Sequence, residues 1–212
     1  PDNLMVKINI ADIRQEYTKG GLRPAFAFQP GLQEAIDAEV DEPTAVIVGT
    51  VSPEGKPSTR TVLLKGLHDG KFIFYTNYES RKGQQLAVNP YVSLSFVWHK
   101  LERQVHIEGK AEKCPPEESD TYFASRPYKS KIGARISPQS HIINSRTEIV
   151  RAFIYEAARL AGQPIKRPDN WGGFAVTPLR FEFWQGRESR LHDRFEYILQ
   201  ADNSWQTVRL AP

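Results

Sequence analysis

Closely spaced β-strands dominate the chain from residue 44 onwards, and this spacing limits the folds that are open to it. Short apolar runs alternate with tight turns that contain glycine or proline, a pattern typical of an antiparallel meander. The predicted strands are 44–51, 58–67, 71–76, 91–98, 104–113 and several from residue 172 to the final Trp205–Leu210. Helical patterns interrupt them at 80–88, 115–123 and 145–160. The sequence therefore predicts an α+β fold in which an antiparallel, barrel-like sheet carries peripheral helices.

The first forty residues differ from the rest of the chain. We predict an N-terminal segment at 1–40, followed by a single domain at 41–212. Short helices are predicted at 12–18 and 31–40, with a flexible glycine pair at residues 20 and 21 between them. The alternative for the residues around the first helix is an uncommitted, frayed terminus.

Composition excludes several classes of protein. No apolar run is long enough to span a membrane, and residues 1–10 lack the apolar core of a signal peptide, which together predict a cytoplasmic protein. The single cysteine, Cys114, excludes an intrachain disulfide, and the histidines lack metal-ligand spacing, so no metal is predicted. The net charge is only +3 and the cations cluster within motifs, which favours a small phosphorylated ligand over a nucleic acid.

The sequence EFWQGRESRLHDR near the C-terminus is the most informative stretch for function. A strand at 179–184, a polar turn with Gly186 and a second strand that starts near Arg190 predict a β-hairpin. Because alternate side chains of a strand share a face, Arg190, His192 and Arg194 are predicted to point the same way. Three groups that can carry positive charge repel one another unless an anion lies against them. The alternative is an edge strand with solvated charges.

Two earlier stretches also place cations where a phosphate could bind. Arg60 and Lys65 stand at the two ends of an apolar strand. Their odd spacing puts them on opposite faces of that strand, where they are predicted to contact different anions. Ser80 caps a helix whose free backbone N–H groups lie beside Arg81 and Lys82, an arrangement suited to a phosphate. The ordinary alternatives are an amphipathic strand with solvated ends and a helix cap with surface cations.

A third stretch, with the sequence TYFASRP, combines an arginine with hydroxyl groups. Tyr122 and Arg126 are four residues apart and share a helical face. The fork of an arginine matches two oxygens of a phosphate, and the hydroxyl groups of Tyr122 and Ser130 can supplement it. The alternative is a helix end at which the helix dipole stabilises the arginine.

Together these strings closely resemble the pyridoxine (pyridoxamine) 5'-phosphate oxidases, which are FMN enzymes. The resemblance runs from about Arg14 to Pro212 and is interrupted near residues 24–29, where PAFAF replaces the usual aspartate-proline start of a helix. It implies an FMN-binding split barrel and a homodimer with two FMN sites at the subunit interface. In that dimer, Trp184 and Arg194 approach a flavin that is held mainly by the other chain.

The resemblance also implies roles for individual residues. It implies that Arg190 and His192 are catalytic and lie over the substrate ring. The implied substrate-binding residues are Lys65, Tyr122, Arg126, Ser130, Arg190 and His192, with Arg14 and Tyr17 in an N-terminal lid. The implied cofactor-binding residues are Arg60, Thr61, Val62, Leu63, Lys65, Tyr75, Thr76, Ser80, Arg81, Lys82, Gln104, Gln139, Ser140, Trp184 and Arg194.

The implied reaction is hydride transfer from C4' of a phosphorylated B6 vitamer to N5 of FMN, after which O2 reoxidises the flavin and yields H2O2. Two alternatives stay open at this point. One is a related split-barrel oxidase that acts on another substrate, such as a phenazine precursor. The other is a protein that binds flavin or pyridoxal phosphate without catalysis. Neither a nucleic acid nor a membrane is an expected partner.

Overall fold

The computed structural model describes residues 24–212, except for the side chain of Phe26. The predicted helix at 12–18 and the predicted lid residues Arg14 and Tyr17 lie outside this part of the chain, so they stay predictions. No helix between residues 24 and 212 combines the length and the apolar character that a membrane span requires.

The described chain contains five α-helices, nine strands and two short 3₁₀-helices, His99–Leu101 and Glu188–Arg190. The helices are α1 (Pro24–Asp37), α2 (Arg81–Val88), α3 (Pro116–Ser125), α4 (Tyr128–Ile136) and α5 (Arg146–Arg159). The strands are β1 (Ala45–Val51), β2 (Pro57–Leu63), β3 (Gly66–His68), β4 (Lys71–Asn77), β5 (Tyr91–Trp98), β6 (Arg103–Lys113), β7 (Trp171–Gln185), β8 (Asp193–Leu199) and β9 (Trp205–Leu210). Every strand pair is antiparallel, which confirms the predicted α+β class.

The sheet curls into a split barrel, and the first and last strands of its main path, β2 and β3, are consecutive in the chain. Its strand order is β2-β1-β5-β6-β7-β4-β3, and β8 and β9 extend it from β7. Between β2 and β3, the backbone N–H of Leu64 donates to Thr44 beside β1, and that of Lys65 donates to Ile73 in β4, both at 2.8 Å. Lys65 therefore stands at the seam where the barrel closes.

This seam explains why the continuous strand predicted at 58–67 is wrong. The chain must leave its partner β1 and join β4, so β2 ends at Leu63 and β3 begins at Gly66. The alternation of faces that related Arg60 to Lys65 does not extend across the break.

Aromatic side chains fill the barrel, and one of them comes from α1. Phe28 is fully buried, and its ring centre lies 4.8 Å from that of Phe96 and 5.0 Å from that of Phe72. The predicted helix at 31–40 therefore starts too late. The apolar residues ahead of it are the first turns of α1, because Phe28 packs into the core.

Helix α4 lies in a stretch for which the sequence predicted no helix, and one ion pair joins it to α5. Arg135 of α4 donates to Glu156 of α5 and to the backbone oxygen of Lys166, both at 3.0 Å. Hydrogen bonds from Arg159 and Arg135 lower the pKa of Glu156 to about 2. The pair therefore stays charged at neutral pH, and it fixes the helix that covers the candidate site.

Candidate active site

A cavity of about 520 Å³ lies where the ends of β2 and β4 meet α2, α3 and α4. Its lining residues are Thr61, Val62, Leu63, Lys65, Tyr75, Thr76, Asn77, Lys82, Tyr122, Arg126, Ser130, Gly133, Ala134, Ser137, Gln139 and Trp171. Three of these residues are cations, and none carries a carboxylate. We call this space the cationic cavity. It brings together many of the predicted substrate- and cofactor-binding residues from separate parts of the chain.

One end of the cationic cavity is formed by Lys82 in the first turn of α2. Ser80 caps this helix by accepting a hydrogen bond from the backbone N–H of Gly83 at 3.3 Å. Lys82 is only 7% exposed, and its Nζ donates to Thr76 Oγ1 at 2.9 Å, with no carboxylate partner in the described chain. Burial and, to a smaller degree, the charge of Arg60 lower the pKa of Lys82 to about 8. A buried cation beside a helix N-terminus and without an acidic partner suits an anion.

Arg60 adds positive charge beside the Lys82 end of the cationic cavity, although it does not line the cavity. Its Nη1 donates to Thr50 Oγ1 at 2.6 Å and to the backbone oxygen of Val48 at 3.2 Å, and its Nη2 donates to Ser58 Oγ at 2.7 Å. These partners are neutral, so they leave the positive charge uncompensated. Burial and the charge of the exposed Arg81 lower the pKa of Arg60. Neither arginine lines the cavity, and their predicted contacts with a cofactor phosphate stay predictions.

A second cationic part of the cavity is built on aromatic rings. The rings of Tyr75 and Tyr122 stack at 3.8 Å, and that of Trp171 is nearly parallel to both. The guanidinium of Arg126 lies 4.5 Å from the centre of the Trp171 ring, and its Nη1 is buried without a hydrogen-bond partner in the described chain. Burial raises the pKa of both tyrosines, so their hydroxyl groups stay protonated at neutral pH. An unpaired cation beside hydroxyl donors, including that of Ser130, suits a phosphate.

Trp171 is a site residue that the sequence did not predict. It opens β7, where it pairs with Asn77 at the end of β4. Its ring contacts the guanidinium of Arg126, which lies 45 positions earlier in the sequence. No local sequence pattern could therefore reveal this contact.

The segment that follows α4 contributes only one of its two predicted residues to the cavity. Gln139 lines it, and its Oε1 accepts a hydrogen bond from Thr76 Oγ1 at 3.2 Å. Ser140 is exposed, has a φ of 70° and does not line it.

The remaining predicted cofactor residues lie side by side on β6, β7 and β8. Gln104 pairs with Trp184, and Trp184 pairs with Arg194, whose Nε donates to Glu182 at 2.8 Å. Gln104, Trp184 and His192 line a second cavity of about 380 Å³. We call this space the hairpin cavity. The predicted cofactor residues that line a cavity of a single chain are thus divided between two separate cavities, and Arg194 lines neither.

The hairpin itself differs from the prediction. β8 begins at Asp193, and Ser189 and Arg190 form a turn with φ values of 57° and 59°. This left-handed backbone breaks the alternation of a strand. The predicted common face of Arg190, His192 and Arg194 is therefore wrong.

The two predicted catalytic residues occupy different surroundings. Arg190 is exposed and lines neither cavity. The ring of His192 lies 4.7 Å from that of Trp184 and faces the hairpin cavity. The structure brings His192, but not Arg190, to the other predicted site residues of the same chain.

Solved structures share this barrel. The PhzG protein of Burkholderia lata, in complex with tetrahydrophenazine-1-carboxylic acid, has a TM-score of 0.87 and 28% identity, over 93% of this chain and 96% of that chain. A pyridoxamine 5'-phosphate oxidase-related, FMN-binding protein from Nostoc punctiforme has a TM-score of 0.74 and 15% identity, over 91% and 100% of the two chains, and shares the fold. The fold defines a protein of the split-barrel class.

Sequence comparisons identify the family. The family model for pyridoxamine 5'-phosphate oxidase matches residues 32–156, and that for the pyridoxine 5'-phosphate oxidase C-terminal dimerisation region matches 171–212. A pyridoxine/pyridoxamine 5'-phosphate oxidase of Bacteroides thetaiotaomicron is 72% identical over 211 residues, 96% of this chain and 99% of that protein. Another from Chromobacterium violaceum is 54% identical over 215 residues, 98% and 100% of the two chains. The chain belongs to the pyridoxine/pyridoxamine 5'-phosphate oxidase family, as the resemblance predicted.

Proposed function

We propose that the chain oxidises pyridoxine 5'-phosphate or pyridoxamine 5'-phosphate to pyridoxal 5'-phosphate, with FMN as cofactor and O2 as the final electron acceptor. The charge of the cationic cavity is the observation that supports this most strongly. Among residues 24–212, its lining includes three cations, one of them with an unpaired buried nitrogen, and no carboxylate. A phosphate on the cofactor and another on the substrate would compensate these charges.

The two phosphates are assigned by their surroundings. Lys82 and the N-terminus of α2, with Arg60 and Arg81 close by, would hold the phosphate of FMN. Arg126, Tyr122 and Ser130 would hold the phosphate of the substrate. The side chain of Lys65 has no ion pair in the described chain and lines the same cavity, so it is available to either molecule.

Two chains are needed to complete each site. Trp184 and Arg194 belong to the stretch that matches the dimerisation region, but they lie outside the cationic cavity of their own chain. In a homodimer, the hairpin of one chain would approach the cationic cavity of the other. Leu63 lines that cavity and, like Ile47, exposes more than a third of its surface, which suits burial against a second chain.

FMN, held by Lys82 and the N-terminus of α2, would supply the acceptor for the hydride of C4', and O2 would be the final oxidant, with H2O2 as its product. The side chains bind, orient and polarise the substrate. Arg190 and His192 would donate hydrogen bonds to the substrate oxygen or nitrogen, where charge changes as the hydride leaves.

A second candidate function follows from the likeness to PhzG, whose structure contains tetrahydrophenazine-1-carboxylic acid. A carboxylate could also pair with Arg126. A monoanionic carboxylate would compensate less of the cationic cavity than a phosphate does, which favours the B6 vitamer.

The experiment that separates these candidates is a steady-state assay of H2O2 release by the purified, FMN-loaded protein. We expect turnover with pyridoxine 5'-phosphate, much weaker turnover with unphosphorylated pyridoxine, and none with the tetrahydrophenazine acid. Turnover with the acid alone would favour the second candidate. FMN binding without turnover of any of these three compounds, and without turnover of pyridoxamine 5'-phosphate, would leave only a binding function.

We expect Lys82→Ala to weaken FMN binding about tenfold or more, because a hydrogen bond to a charged group contributes about 1.5–3 kcal/mol. Titration of the apoprotein with FMN, followed by fluorescence quenching, measures this change. Unaltered affinity would remove Lys82 from the FMN site.

The pH dependence of FMN binding provides a sharper test of Lys82. The pKa of Lys82 is lowered to about 8 in the protein without ligand, and a bound phosphate should raise it. Binding then takes up a proton above that pH, so affinity should fall as the pH rises from about 8 towards 10. Lys82→Arg stays charged throughout and should lack this fall. An equal fall in both proteins would contradict the assignment.

We expect Trp171→Leu to raise the KM for pyridoxine 5'-phosphate about tenfold with little change in kcat, because a cation–π contact contributes from about 0.5–1 kcal/mol at exposed sites to about 2 kcal/mol when it is desolvated. Trp171→Phe keeps a ring under Arg126 and should have a smaller effect. Wild-type KM values for both variants in steady-state assays would show that Trp171 does not support substrate binding.

A further inference from the structure

A carboxylate with no proposed role holds the loop between β7 and β8. Asp193 Oδ2 accepts a hydrogen bond from Arg187 Nε, and its Oδ1 accepts one from Arg209 Nη1 of β9, both at 2.9 Å. The hydrogen bonds from Arg187 and, to a lesser degree, Arg209 lower the pKa of the Asp193 carboxyl, so it is charged at neutral pH. Asp193 thus ties the start of the loop to the last strand. We call these three residues the clasp.

The loop needs such a tie because its backbone is unfavourable. Ser189 and Arg190 both have positive φ values, and a non-glycine residue in this region costs about 1–3 kcal/mol. Packing cannot compensate, because Leu191 is 70% exposed. At its other end the loop is fixed by the N–H of Gly186, which donates to the backbone oxygen of Glu102 at 2.7 Å.

The same loop determines which nitrogen of His192 carries a proton. The backbone N–H of Arg187 donates to His192 Nδ1 at 3.1 Å. A backbone N–H can only donate, so Nδ1 accepts, and the neutral ring carries its proton on Nε2. The ring packs beside Trp184 and lines the hairpin cavity. Nε2–H is then the hydrogen-bond donor that His192 offers to a molecule bound there.

We propose that Asp193 is a positioning residue: the clasp places the backbone of Arg187 against Nδ1, so that His192 presents Nε2–H to the substrate. Arg187 is bound twice, through its side chain to Asp193 and through its backbone to His192. A shift of its backbone therefore releases the ring. The role of the donor rests on the proposed function, whereas the tautomer is a property of the protein alone.

The tautomer can be measured without a substrate. Long-range ¹H–¹⁵N spectra of the full-length protein, labelled in histidine and purified with its flavin, report which ring nitrogen is protonated, and His192→Asn assigns the signal by removing it. We expect Nε2–H in the wild type and a mixture of tautomers in Asp193→Asn, which loses the charge and one acceptor. Asp202→Asn is the matched control, because Asp202 is an exposed carboxylate in the next turn that accepts hydrogen bonds from the backbone N–H and the hydroxyl group of Ser204. An unchanged tautomer in Asp193→Asn would overturn the proposal.

Steady-state kinetics test the consequence for catalysis. We expect Asp193→Asn to lower kcat for pyridoxine 5'-phosphate by up to about a hundredfold, since a small displacement of a catalytic group can cost that much. FMN affinity and melting temperature should stay close to those of Asp202→Asn. Arg209→Gln removes one arm of the clasp and should lower kcat less, and Arg209→Lys, which keeps the cation, should recover part of the loss.

The outcomes separate this proposal from the proposed function. If Asp193→Asn does not fold, Arg209→Gln carries both measurements. A normal kcat in the folded variants, or a loss that occurs with an unchanged tautomer, would overturn the positioning role. If the wild-type protein oxidises neither vitamer, the proposed function fails, and the spectra still decide whether the clasp sets the tautomer.

Discussion

Arg126→Ala should raise the KM for pyridoxine 5'-phosphate about a hundredfold and leave kcat within a few-fold of the wild type. The Nη1 of Arg126 is buried without a hydrogen-bond partner in the described chain, so a substrate phosphate would supply the missing acceptor. Loss of a buried, hydrogen-bonded charge pair costs about 2–5 kcal/mol, and the phosphate is bound equally in the ground state and the transition state. The effect therefore appears in KM, as measured by steady-state kinetics.

Two controls make this prediction specific to the phosphate. Unphosphorylated pyridoxine should show the same kcat/KM with the wild type and with Arg126→Ala, because it lacks the group that Arg126 binds. Arg126→Lys keeps the charge but loses the two-pronged geometry, and it should lie between the two proteins. A fall in kcat at an unchanged KM would contradict the assignment.

Arg190→Ala should lower kcat by about ten- to a thousandfold, the range for loss of one donor that acts on developing charge. Arg190 is exposed and makes no ion pair in the described chain, so its removal should leave stability unchanged. The unfavourable φ of 59° at this residue indicates a function that outweighs the strain. His192→Asn keeps a donor and should have a milder effect.

The control for Arg190→Ala is Arg151→Ala. Arg151 is also an exposed arginine, but it belongs to α5, a helix that lines neither cavity. Each variant must first be shown to hold FMN. If Arg190→Ala kept the wild-type kcat and changed only KM, Arg190 would be a binding residue.

Local patterns predicted much of the sheet. The predicted strands at 71–76, 91–98 and 104–113 agree with β4, β5 and β6 to within a residue, because alternation and turn residues are local signals. The break between β2 and β3 depends on a change of partner strand, which no local pattern contains. The early start of α1 has a similar cause. Phe28 belongs to this helix because it packs against Phe72 and Phe96, which lie far along the chain.

The candidate site divides in the same way. Local motifs contain Ser80 and Lys82, which lie at a helix start as predicted, and Tyr122, which lies in the last turn of α3. Arg126 follows α3 as its C-cap with an extended backbone (ψ of 149°), so the predicted helical face does not extend from Tyr122 to Arg126. Trp171 was missed because it meets Arg126 only through the fold. The prediction that Arg190 shares a strand face with His192 and Arg194 was wrong because it assumed a regular strand. The turn there is held by side-chain contacts that reach across to β9.

We propose that this chain takes two electrons from C4' of a phosphorylated B6 vitamer through a bound flavin. The most direct measurement adds pyridoxine 5'-phosphate to the flavin-loaded protein without O2, and follows the flavin absorbance together with the aldehyde formed. We expect the flavin band to bleach as an equal amount of pyridoxal 5'-phosphate appears, and O2 to restore the band afterwards. A bound flavin whose absorbance changes with neither pyridoxine 5'-phosphate nor pyridoxamine 5'-phosphate would contradict it.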